Sequence, residues 1–241
     1  MTTRPHDRGG QPTIPGRSVA PTFRSTALVV VAFGVAMGYL EAAVVVYLRS
    51  AIESGAATAA MDPATTGTFE TLEIAREIAT LAMIAAVGWL AGRTGLERLA
   101  WSAVVFGTWD LVYYAGLRLA IGWPETLDAW DLLFLIPVPW FGPVWAPILV
   151  STALVLYGLV AARRVRSGLP VEVRWVHVAA ALAGAALVIL SFLIDSSRVL
   201  AGDESAWSGW PLFLAGMGLA AAATVAPLRS VNPDRRRRCP T

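Results

Sequence analysis

The chain has 241 residues, of which 56% are hydrophobic and only 15% charged, with a formal net charge of +2 and a mean hydropathy of +0.60. A soluble domain carries about a quarter charged residues, and once the long apolar stretches are set aside only short loops and two tails remain, so there is no room for a soluble domain. All 19 basic residues are Arg, which removes Schiff-base, Ser–Lys and P-loop lysine chemistry together. Two histidines, His6 and His177, leave haem, zinc and His-rich di-iron sites without ligands, and the lone Cys239 can form no disulfide within the chain. No cofactor and no metal site is expected.

Residues 1–24 carry Pro, Gly and four arginines (Arg4, Arg8, Arg17, Arg24) without periodicity, and read as a disordered cytoplasmic tail. Residues 25–228 read as a six-helix transmembrane domain. The first apolar run, Thr26 to Leu48, is too long for a signal h-region and contains Glu41, so it is expected to be an uncleaved span. Further runs cover Leu72–Ala91, Arg98–Ile121, Pro143–Ala162, Trp175–Ile194 and Gly209–Pro227, each close to the 20 or so residues that cross about 30 Å of hydrocarbon. Residues 229–241 form a basic cytoplasmic tail. The expected fold class is therefore all-α, a polytopic membrane bundle of six transmembrane helices.

Arginine placement predicts the orientation. Fifteen of the 19 fall in the two tails and the loops at Arg93–Arg98 and Arg163–Arg174, whereas Arg49, Arg118 and Arg198 fall on the opposite side and Arg76 lies within the second span. Cytoplasmic loops carry the excess of basic residues, so both termini are expected inside, in a bacterial cytoplasmic membrane. The run Arg235–Arg238 serves as an orientation signal and a contact for anionic headgroups. Cys239 is misplaced for a prenylation signal, and no nucleic-acid partner is expected. The expected partners are the bilayer and either a second copy of the chain or a membrane-complex subunit.

Before the fourth span, Asp128–Val144 holds Pro137, Pro139 and Pro143. Proline removes a backbone donor and disfavours helix in the residue before it. This outer-side segment is expected to form a short helix or re-entrant piece followed by an irregular turn, against the alternative of an amphipathic interfacial loop. Irregular backbone at membrane depth is tolerated only where protein or a wet cavity surrounds it.

With that topology the acids sort to the outer half. Glu41 lies in the last third of the first span; Glu70, Glu73 and Glu77 open the second; Asp110 is near the middle of the third; Asp131 precedes the fourth and Asp195 ends the fifth. An acid at mid-bilayer costs a few kcal/mol on insertion scales and normally faces the bundle interior. Glu73 and Glu77 share a helix face and Arg76 sits between them, a fixed cation that cannot discharge by losing a proton. The candidate substrate- or ion-binding set is Glu41, Glu73, Arg76, Glu77, Asp110, Tyr113 and Asp131. Its plainer alternative is an interhelical ion-pair network that fixes packing, and for Asp195, Glu70 and Asp131 near the interface a solvated role is the stronger expectation. Trp109 with Tyr113 and Tyr114 either lines a polar pocket or packs ordinarily, while Trp101, Trp145, Trp207 and most other tryptophans fall near span ends, as interfacial belts do.

A faint parallel repeat relates Gly38–Arg49 to Gly107–Arg118, with Gly, acid, Leu and Arg at the same offsets, which makes Glu41 and Asp110 counterparts. Familiar membrane chemistries fail. There is no His or Lys partner for an intramembrane serine nucleophile, no H-E-x-x-H, and no dinucleotide or Walker pattern.

At the level of whole segments, E-A-A-V-V-V-Y-L-R, R-E-I-A-T-L, W-D-L-V-Y-Y and W-D-L-L-F-L-I-P-V-P-W resemble those of uncharacterised bacterial multi-pass membrane proteins, over about Gly38–Ser151. The resemblance implies a six-helix membrane fold and no activity, and the Arg-only, Ala-rich usage is similar to that of high-GC bacteria. Three functions stay open: a small ion- or proton-coupled transporter with an outward-facing acidic pocket; a non-catalytic accessory or assembly subunit; and a membrane-embedded enzyme acting on a lipid or isoprenoid. Convergence of Glu41, Glu73, Arg76, Glu77 and Asp110 on one cavity beside Leu132–Pro143 is the feature that favours a site.

Overall fold

Six apolar runs become six long helices, the second of which begins at Pro63, ahead of the expected Leu72. The structure is a computed structural model that describes residues 21–53, 63–203 and 206–229. In chain order the elements are α1 (Phe23–Glu53), α2 (Pro63–Ala91), α3 (Gly95–Ile121), β1 (Trp130–Phe134), β2 (Trp140–Pro143), α4 (Trp145–Arg166), α5 (Trp175–Leu193), the short α6 (Ser196–Leu200) and α7 (Trp210–Arg229). Every long helix is long and apolar enough to cross a membrane. Most of the two expected tails, with His6, Cys239 and Arg235–Arg238, and the side chain of Glu70 lie outside the described residues.

The helix ends have local causes. Thr94 caps α3 by accepting the Glu97 N–H at 3.2 Å, and Gly122 closes it with φ 74° and its own N–H on the Arg118 carbonyl. Because lipid is as apolar as a leucine face, helices in a bilayer associate through close fit and small residues. Accordingly α3 is the central helix, with α1 and α4 packed along it, and α5 and α7 form a second tight pair. At Gly107 of α3 a Cβ would strike the Ser151 carbonyl of α4 and lie 2.7 Å from Val155 Cγ2; at Gly184 of α5 it would lie 2.7 Å from Ala220 N of α7. α2 leans mainly on α3 and barely touches α1. The packing of α1 with α2 is thus not equivalent to that of α3 with α4, and the sequence repeat is not matched by a repeated helical hairpin.

One buried ion network ties four helices at the arginine-rich end. Arg166 of α4 pairs with Glu97 of α3 and donates to Thr26 Oγ1 of α1 at 2.8 Å and to the Ala91 carbonyl of α2 at 3.0 Å. Glu97 also accepts from Trp101 Nε1 at 3.2 Å and from the Arg93 N–H at 2.9 Å. Trp101 is therefore fully buried against Phe23 rather than part of an interfacial belt. Trp207 departs from that expectation too: it stacks on Phe192 and meets Trp145 and Phe213 between α4, α5 and α7. Asp195, expected to be solvated, is buried, accepts from Ser208 N–H and Oγ at 2.7 and 2.6 Å, and pairs with Arg198 at 2.8 Å.

The proline-rich segment forms an antiparallel β-hairpin, not a short helix. Trp130 pairs with Pro143, Asp131 with Gly142 and Leu132 with Phe141, with an irregularity before Phe134–Trp140. Prolines 137, 139 and 143 deny a helix its donors, while the flanking aromatic and aliphatic residues suit strands. Pro137 and Pro139 sit at the tip, where no ladder bond is needed. The hairpin is half-buried against the bundle: β2 packs on Phe192 of α5, and the Leu135 N–H reaches Glu77 of α2 at 2.8 Å.

Candidate functional site

Two helical stripes create the site. On α2, Glu73, Arg76, Glu77, Thr80 and Leu81 recur at spacings of three and four; on α3, Phe106, Trp109, Asp110, Tyr113 and Tyr114 do the same. Such spacing puts each set on one face of its helix. Both faces line a single cavity of about 990 Å³, which residues of α1, α4, α5, α7 and the hairpin line as well.

The structure brings all seven candidate residues to this cavity: Glu41, Glu73, Arg76, Glu77, Asp110, Tyr113 and Asp131. They are spread along the wall, each with its own engagement. Arg76 pairs with Glu41 of α1 and, at 2.9 Å, with Glu73 one turn back. Ser151 Oγ donates to Asp110 Oδ2 at 2.8 Å, and Tyr114 OH donates to Asp131 Oδ2 at 2.8 Å. Glu77 accepts the Leu135 N–H through Oε1. Its Oε2, with the indole N–H of Trp109 and of Trp140, has no hydrogen-bond partner among the described residues. Glu77 and Trp109 are each only 7% exposed, and a buried polar atom left without a partner costs about 1–3 kcal/mol.

The hairpin carboxyl of Asp131 lies outside the long helices. Burial pushes it up to about 6, against the opposing effects of the Tyr114 hydrogen bond and the nearby Arg49. The polar group thus holds five carboxyls and the Arg76 guanidinium. An aromatic wall adjoins it, with Phe106 against Trp109 at 5.3 Å, Phe134 stacked on Phe106 at 6.3 Å, and Trp140 against Phe134 at 5.5 Å.

The rest of the lining is largely aliphatic, including Val150, Leu154, Val188, Ile189 and Val225. Arg164 and Arg229 close the far end. Arg164 is about 20 Å beyond Ser151 along α4 at roughly 1.5 Å per residue.

Several members were not singled out by sequence. Ser151 and Thr80 are ordinary helix residues, and Phe134 and Trp140 reach the cavity only because the hairpin folds inward. Tyr114 and Trp109, which the sequence offered with Tyr113 as pocket-lining or ordinary packing residues, share the stripe of Asp110 and line the cavity. No three His, Cys, Asp or Glu side chains gather as a metal site would require, among the described residues.

Fold and site together define a six-span membrane protein with an apolar cavity headed by acids. Comparison with protein-family models, with curated proteins and with solved structures finds no match to this chain.

Proposed function

We propose that the protein is a small ion- or proton-coupled membrane transporter, with the cavity as its substrate site. The observation that carries this reading is the convergence of Glu41, Glu73, Arg76, Glu77 and Asp110 on one cavity beside the hairpin. A subunit whose charges serve only to pair with another protein does not need them to converge. The cavity volume also lies within the range of organic-ligand sites, about 300–1,000 Å³, and far exceeds an ion. Asp110, near mid-span and hydrogen-bonded only to a serine hydroxyl among the described side chains, suits a proton carrier: a carboxyl in such surroundings can exist charged or neutral.

The arginine distribution supports an orientation with both termini in the cytoplasm and the hairpin end facing out. The Arg-only composition supports a bacterial plasma membrane. A second copy of the chain is the expected partner.

The test is gradient-driven accumulation. Proteoliposomes are given a proton gradient and a mixture of small organic amines, carboxylates and neutral amphiphiles, and the lumen is analysed by mass spectrometry. One class is expected to accumulate with the gradient and to fail to do so in Asp110→Asn. Accumulation of none beyond that in protein-free vesicles refutes the reading.

A further inference from the structure

We infer that the cavity takes a protonated amine carried on an apolar body, with the ammonium N–H donated to Glu77 Oε2. Five carboxyls line the cavity; Arg76 is committed to Glu41 and Glu73 and Arg49 acts on Asp131, so that Glu77 and Asp110 are in no ion pair among the described residues. An anionic or neutral head would leave Glu77 and Asp110 without a counter-charge. A cation offsets them.

Glu77 adds the direction. Its side chain lines the cavity and is 7% exposed; the N–H groups of Leu135 and Ile136 bear on the carboxylate, the former bonded to Oε1, and Oε2 has no hydrogen-bond partner among the described residues. Such an oxygen is an acceptor in want of a donor, and a charged donor makes the stronger bond. A quaternary ammonium has no N–H to give, so the chemistry selects protonated primary, secondary or tertiary amines. Phe106, Trp109 and Phe134 line the same cavity, and aromatic rings attract cations. The aliphatic stretch along Val150, Leu154 and Ile189 then receives a hydrocarbon body.

Arg76 engages Glu41 and Glu73, Ser151 engages Asp110 and Tyr114 engages Asp131, and no three of the carboxyls gather as a metal site would require among the described residues. That arrangement fits an extended organic cation better than a compact metal ion. The assignment rests on the cavity being the transport site.

The test uses the full chain in nanodiscs of zwitterionic lipid, titrated calorimetrically at pH 8 with octylamine, octyltrimethylammonium and octanol, with empty nanodiscs as blank. Octylamine is expected to bind at least tenfold more tightly than the other two, and Glu77→Gln is expected to abolish that preference. Equal binding of the three probes by the wild type overturns the inference, and this arm needs no variant to fold. A preference that survives in a folded Glu77→Gln protein also overturns it. Amine-selective binding without gradient-driven accumulation in proteoliposomes would instead sink the transporter reading and leave the amine site standing.

Discussion

Replacing Arg166 by Met tests whether the arginine-rich end is held by a desolvated ion pair. The side chains of Arg166 and Glu97 are 8% and 1% exposed, so solvent screens the pair little. Methionine keeps much of the length and the contact over Trp101, but it removes the pair with Glu97 and the bonds to Thr26 and Ala91. Glu97 would keep its bonds from Trp101 and Arg93 while losing its counter-charge. Removing one member of a buried pair costs about 3–5 kcal/mol, chiefly because the other charge is stranded. For a chain of this size that corresponds to roughly 6–20 °C in Tm, at about 2–4 °C per kcal/mol. The double variant Arg166→Met with Glu97→Gln is expected to recover a substantial part of the loss, since no charge is then left alone. Thermal unfolding of the three variants in one detergent, followed by tryptophan fluorescence, measures the cycle. A single variant within about 0.5 kcal/mol of wild type, or a double variant no more stable than the single, would refute the stranded-charge argument.

Gly107→Val is expected to push α3 from α4 where Ser151 and Val155 press on the glycine, at a cost of about 1–3 kcal/mol for overpacking; thermal unfolding reads it. Arg76→Gln leaves Glu41 and Glu73 facing each other without their cation. It is expected to destabilise more than the double change Glu41→Gln with Arg76→Gln, checked in the same assay. Asp131 supplies a pH dependence. Because its carboxyl is raised to about 6 in the folded chain, the folded state holds that proton more tightly than the unfolded state. Its contribution is therefore favourable at low pH and is lost as pH rises from about 4 through 6. Asp131→Asn, still facing Tyr114, Arg49 and Asp110, is expected to flatten the fall in Tm across that window; an unchanged slope would contradict the assignment.

Chemistry repeated along one element was legible in the chain. The lengths of the six spans follow from apolar runs, and the acid-bearing faces of α2 and α3 follow from residues three and four apart. What lay on those faces was readable because a carboxylate within an apolar run has few tolerable surroundings. The hairpin was only half legible: prolines argued against helix, but no pattern within the segment marked the register that pairs Trp130 with Pro143.

The sequence by itself thus determined the number of spans, the places where the helices break, and the acids that had to turn away from lipid. Tertiary structure alone decided that Ser151 meets Asp110 across 41 residues, that Arg166 reaches Glu97 across 69, and that Trp101 and Trp207 turn inward. The physical reason is that lipid and protein interior are both apolar. A helix that is hydrophobic all round carries no pattern saying which side faces its neighbours, so close fit between helices, set by distant glycines and a few polar groups, makes that choice.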